Sequence, residues 1–88
     1  MESSLQAQRT RLAELLVKVA DGVISSHDAI ALANEWKDIP WKQEVFAAAY
    51  HGLQHVEIDA DIRQRDADYA KAQDAGLRRC AERLLKFG

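Results

Sequence analysis

Cysteine is nearly absent from this chain: Cys80 is the only one in 88 residues. No intramolecular disulfide can form, and one sulfur cannot build a thiolate zinc site. Proline is equally scarce, with Pro40 alone, and the alternating β-branched runs that mark strands are missing. The four glycines are scattered, so none belongs to a phosphate-cradling loop. Apolar runs last only a few residues, far short of the roughly 20 needed to cross a bilayer. The opening Met1-Glu2-Ser3-Ser4-Leu5-Gln6 has neither a basic stretch nor an apolar one, so no signal peptide is expected. A lone thiol fits a reducing compartment, and the expectation is a soluble cytoplasmic protein with no membrane contact.

An excess of one charge is missing too. Twelve basic and 14 acidic residues leave a formal net charge of −2, too balanced for the basic face of a nucleic-acid binder. What is present is ordinary globular composition, 48% hydrophobic and 30% charged, which argues against disorder. A chain this short forms one domain, residues 1–88, and hides only about 60–65% of its unfolded surface. Its core is one layer of contacts between helices, with little room for a buried substrate cleft. The chain is therefore expected to lack a catalytic centre and to need no cofactor.

Periodicity and punctuation predict an all-α fold of four helices packed as a compact antiparallel bundle. Ser3 and Gln6 make a capping box before Leu5, Leu12, Leu16 and Val19, with Leu15 flanking that stripe. Gly22 ends the first helix, with Val23 folding back on Val17. A second box, Ser25 with Asp28, opens a helix striped by Ala29, Leu32, Ala33 and Trp36. Pro40 is expected to close that helix and to start the next. The third helix carries Trp41, Val45, Ala49, Leu53 and Val56 on one face, with Phe46 and Tyr50 beside them. Residues 57–68 read as a turn with a short helical piece around Ile62, followed by a fresh N-cap near Asp66. The last helix aligns Tyr69, Leu77, Cys80 and Leu84, with Gln73 and Gly76 in the same row. Its acids at the start and bases at the end suit the helix dipole.

Few residues could carry chemistry. His51 and His55 stand one helical turn apart, with Asp59 a turn further, which are ligand types zinc favours. The metalloprotease motif, however, needs a glutamate after the first histidine, and Gly52 stands there; the expectation is no metal. A calcium loop counted from Asp59 fails at Arg63, Gln64 and Ala70. Ser3, Ser4, Ser25 and Ser26 are explained by capping, and His27 beside Ser26 does not make a triad. Cys80 falls on an inward stripe and reads as an inert, buried thiol. Trp36 and Trp41 read as a plug for one end of the bundle, the alternative being an interface anchor. Gly76, costing about 1 kcal/mol relative to alanine in mid-helix, implies close approach of another helix.

The segment that folding does not require is acidic. Glu57, Asp59, Asp61, Asp66 and Asp68 lie within twelve residues, interrupted by Arg63 and Arg65. They read either as a solvated loop with caps or as a surface that docks a basic protein partner. The phosphate-binding cleft of a nuclease would be such a partner.

Several stretches resemble the small bacterial immunity proteins of the colicin D type. They are Leu15-Leu16-Val17, the turn Asp21-Gly22-Val23-Ile24-Ser25, the run Val45-Phe46-Ala47-Ala48-Ala49, Asp59-Ala60-Asp61-Ile62-Arg63, and the ending Leu84-Leu85-Lys86-Phe87. The resemblance implies a helical bundle that binds the nuclease domain of a cognate toxin and blocks its active site. Acidic side chains would stand in for substrate phosphates, a role that falls by position on Asp59 and Asp61. The alternative is a helical adaptor or homo-oligomer that packs one of two apolar faces of the third helix, Val45/Ala49 or Phe46/Tyr50/Leu53, against another chain. Monomer and homodimer both remain open.

Overall fold

A computed structural model describes residues 5–86. It contains five helices and, among the described residues, no strand: α1 (Leu5–Ala20), α2 (Ser26–Asn34), α3 (Glu44–Ile58), α4 (Ala60–Arg65) and α5 (Ala67–Leu85). The fold is all-α. Side-chain contacts fix the directions of the helices. Asn34 meets Tyr50 while His27 meets Glu57, so α2 and α3 are antiparallel. Arg9 reaches the end of α5 while Asp21 meets Arg78, so α1 and α5 are antiparallel as well. Asp59 meets Tyr69 and Gln73 while Gly52, earlier in α3, faces Leu77, later in α5, so α3 and α5 are antiparallel too. The four longer helices form an up-down-up-down bundle, and α4 is a short step between α3 and α5.

The sequence explains each boundary. At Gly22 the backbone turns left-handed, with φ at 76°, and the Val23 amide donates to the Lys18 carbonyl at 2.8 Å while that of Gly22 donates to Val19 at 3.1 Å. These two bonds are a Schellman cap, which occupies carbonyls the helix leaves without partners. The apolar closure expected of Val23 does not occur. Val23 stays 71% exposed, and Ile24 turns in against the core instead. The Ser25 hydroxyl accepts the Asp28 amide at 3.1 Å and caps α2, and Asp66 caps α5 by accepting the Tyr69 amide at 3.0 Å. Ser3, expected to cap α1, lies outside the described residues.

One layer of side chains forms the core, as expected for this length. Leu12 and Leu16 of α1, Phe46 and Leu53 of α3, and Leu77 and Leu84 of α5 are fully buried, each contributing about 1.5–3 kcal/mol by leaving water. Leu15 is part of this core and not a flank, whereas Leu5 is exposed. In α5 the third core position is Ala81, with Cys80 and Tyr69 only half-buried. The α2 helix contributes only Ala29 and Ala33. Small side chains let a helix lie close to its neighbours, and Trp36 packs against the core from beyond the end of α2. Leu32 sits 38% exposed, and the chain leaves the helical conformation before Trp36.

Pro40 neither closes α2 nor opens α3. Residues 35–43 form a connection of successive turns and bends, and α3 starts at Glu44 with Gln43 as its N-cap residue. The reason is the burial of Ile39, 4% exposed, which pulls this segment across the end of the bundle. Backbone bonds from Trp41 to Ile39 and from Gln43 to Pro40, both 2.9 Å, turn the chain at the proline. Helix α1 then holds the connection down. The Gln8 amide donates to the Asp38 carbonyl at 2.7 Å, Arg11 pairs with the Asp38 carboxylate at 2.7 Å, and the Arg11 guanidinium covers the Trp36 ring at 4.7 Å. The Trp41 indole donates to the Trp36 carbonyl at 3.2 Å and meets Tyr50 edge to face at 5.4 Å. The two tryptophans thus act as the plug the sequence suggested.

Helix packing also reassigns the mid-helix glycines. A Cβ built on Gly52 would lie 3.2 Å from a methyl of Leu77, whereas one on Gly76 meets nothing nearer than Arg79 at 3.8 Å. The close approach of α3 and α5 is at Gly52, and Gly76 has no packing reason.

Candidate partner-binding site

The five acids singled out in residues 57–68 do not share one role. Asp59 faces inward and accepts the Tyr69 hydroxyl at 2.6 Å and the Gln73 amide at 2.9 Å. That hydrogen bond, more than burial, raises the Tyr69 hydroxyl above the ordinary phenol range. Asp66 is bound to its capping amide, and Glu57 accepts from His27 Nδ1 at 2.8 Å. Asp61 and Asp68 are exposed, one in the first turn of α4 and the other in the first turn of α5.

Arg63 belongs to the same framework. It donates to the Ala70 carbonyl at 3.2 Å, to Gln73 at 3.0 Å and to Asp74 at 2.8 Å. With Asp59, Tyr69 and Gln73 it makes a polar clasp between α4 and α5. The arginine that interrupts the acidic run therefore points back into the fold. No side chain of α4 is buried; the clasp, not a core, holds this helix in place. What α4 and its neighbours present outward is apolar as well as acidic. Ile58 is 76% exposed, and Ile62 is also exposed.

Across from α4 lies the α1–α2 turn. An open groove of about 470 Å³ separates them, with Val19, Gly22 and Ile24 on one side, Ala60, Arg63 and Gln64 on the other, and Val56 and Ala70 between. This end of the bundle carries an excess of acids. Residues 21–28 and 57–68 hold seven carboxylates, Asp21, Asp28, Glu57, Asp59, Asp61, Asp66 and Asp68, and the basic residues beside them are Lys18, Arg63, Arg65, Lys71 and Arg78. Asp21 pairs with Arg78 at 2.5 Å. His27 is exposed, and its hydrogen bond to Glu57 followed by the attraction of that carboxylate raises it above the usual imidazole range.

The other candidates fare differently. His51 and His55 are both exposed but line different clefts. His51 borders a cleft of about 360 Å³ with Asn34, Trp41, Ala47 and Tyr50, and His55 borders a narrower groove with Gly76, Leu77 and Cys80. Asp59, their supposed third partner, is held by Tyr69. Among the described residues no three His, Cys, Asp or Glu side chains form a cluster able to hold a metal ion. Likewise, no described helix is long and apolar enough to cross a membrane. The apolar faces of α3 are covered within the chain: Phe46, Ala49 and Leu53 are fully buried, and Val45 and Tyr50 pack against that core.

The groove and the outward isoleucines could not be read from the sequence, because Ile58 and Ile62 look like ordinary members of an apolar stripe. Their alternation with Glu57, Asp59 and Asp61 was the available signal. Compared with protein-family models, with curated proteins and with solved structures, the chain matches none.

Proposed function

We propose that this protein is a non-catalytic binding module whose acidic end docks a basic protein, and that the partner is a nuclease toxin domain which it neutralises. The observation that carries the reading is α4. It adds nothing to the core, yet it is clasped in place so that Asp61 and Ile62 face solvent beside Ile58. Exposed isoleucines beside unpaired carboxylates have no stabilising role in the bundle, and such surfaces fit a partner. The sequence resemblance to colicin D type immunity proteins, in which acids replace phosphates, agrees with this end being the docking end. Of the two residues onto which that role falls by position, Asp61 is free to serve, and Asp59 serves by holding α4.

The test is charge reversal where it leaves the fold alone. Asp61→Lys with Asp68→Lys is expected to abolish low-salt capture of a basic, nuclease-like protein and to relieve inhibition of its activity, with helicity unchanged. Retention of that partner by the double variant would sink the proposal. If a salt-insensitive homodimer were the only product of capture, the adaptor reading would replace it.

A further inference from the structure

We infer that the groove between the α1–α2 turn and α4 is an anchor site for one aliphatic or aromatic side chain of a cationic protein segment. The inference rests on the reading of a basic partner and adds what that partner must carry besides charge. Long-range attraction raises the encounter rate, but a buried apolar anchor supplies the lasting part of most protein contacts.

Three features select this occupant. Val19, Ile24, Val56, Ala60 and Ala70 make the apolar half of the groove's lining, beside Gly22, two serines, Arg63 and Gln64, and its volume falls within the range of sites that hold small organic groups, about 300–1,000 Å³. Val23 and Ile58 are the two most exposed large aliphatics of the described residues; Val23 stands in the chain between the lining residues Gly22 and Ile24, and Ile58 between Val56 and Ala60. Its interior is unsuited to a cation. The N-terminus of α2 opens into it at Ser25 and Ser26, where the helix dipole is positive, and the Arg63 guanidinium is already paired with Asp74. A lysine or arginine of the partner is repelled from the groove and attracted to the acids around it, Glu57 and Asp61 among them. To occupy the groove the segment therefore needs an apolar residue flanked by basic ones.

Three peptide probes at low ionic strength test this on the isotopically labelled protein: an amphipathic leucine–lysine peptide, oligolysine, and a leucine–glutamate peptide. The backbone amides of Gly22, Ile24, Ala60 and Ala70 are expected to shift saturably with leucine–lysine only. Oligolysine is expected to move signals around Asp61 and Asp68 alone, and leucine–glutamate to move none. Filling the groove with Ala60→Phe, or with Gln64→Phe at a second exposed position, should weaken leucine–lysine about tenfold and leave oligolysine unaffected. Groove amides that stay still with leucine–lysine, or that respond equally to oligolysine, would overturn the anchor site, as would unchanged binding by both filled variants. If oligolysine still binds the corner in that case, the anchor falls and the basic-partner reading stands. If no cationic peptide binds at all, both fall.

Discussion

The two ends of this bundle are built by opposite means. At the end formed by the start of α1, residues 35–43 and the end of α5, polar side chains close the structure from outside. Gln8 and Arg11 fasten the connection, and Arg9 donates to the carbonyls of Leu84, Arg83 and Lys86 at 2.6, 2.8 and 3.0 Å. Ile39 is sealed beneath them. Seven basic residues (Arg9, Arg11, Lys37, Lys42, Arg79, Arg83 and Lys86) outnumber four acids there (Glu35, Asp38, Glu44 and Glu82). At the opposite end the polar groups lie within the joint, in the clasp of Asp59, Arg63, Tyr69 and Gln73, and isoleucine faces water. One end uses charge to finish the fold; the other leaves both charge and apolar surface unused by it. The same residue type, placed at each end, measures that difference.

The largest contrast is expected between Ile39→Ala and Ile58→Ala. Removing Ile39 opens a cavity under the 35–43 connection and should cost about 2–4 kcal/mol, a large part of the stability of so small a domain. Removing Ile58 should stay within about 0.5 kcal/mol. Urea unfolding of both variants tests this, and equal losses would erase the distinction between the ends. Next comes Arg9→Ala, which strips the last carbonyls of α5 of a charged donor and should cost about 1–2 kcal/mol. Hydrogen exchange should then speed up at the end of α5 before anywhere else.

The glycines sharpen the picture along the bundle's side. Gly52→Val should destabilise by about 1–3 kcal/mol, since its branches collide with Leu77. Gly76→Ala should stabilise by about 1 kcal/mol, and thermal melts with opposite shifts are the expected outcome. The smallest effect is electrostatic. The raised His27 pKa means the folded state holds that proton more tightly than the unfolded chain. The contribution is therefore complete below the ordinary histidine value, about 6.5, and is lost as pH rises through the raised one. Histidine resonances followed against pH should show His27 titrating late, and Glu57→Gln should lower it toward the ordinary value, with Asp28 still raising it slightly.

Features encoded within a few residues were legible in the sequence. The Gly22 stop, the Ser25 and Asp66 caps and the short helix near Ile62 each depend on local backbone chemistry. Helical spacing gave Leu12, Leu16 and Val19 of α1 and Ala49, Leu53 and Val56 of α3 as core. It also included the exposed Leu5, began the α3 stripe at Trp41 outside that helix, and set the buried Leu15 and Phe46 to one side. The connection 35–43 was not legible, because a helix restart at Pro40 was locally reasonable and only the burial of Ile39 against distant helices decides otherwise. Arg9, Gln8 and Arg11 leave no signal in the sequence for the same reason: their partners lie 75, 30 and 27 residues away, and periodicity carries no trace of such contacts. The acidic run was visible as composition. Its division into a clasp residue, two caps or pairs and two outward carboxylates depends on which way each side chain turns.

Because no residue of α4 is fully buried, its most exposed positions are nearly neutral to the stability of the bundle. Substitutions at Asp61 or Arg65 can accumulate without eroding the fold, provided Asp59 and Arg63 keep the helix seated. A scaffold of this kind separates the inheritance of shape from the inheritance of surface, so a lineage can change what it recognises in single steps while each intermediate still folds.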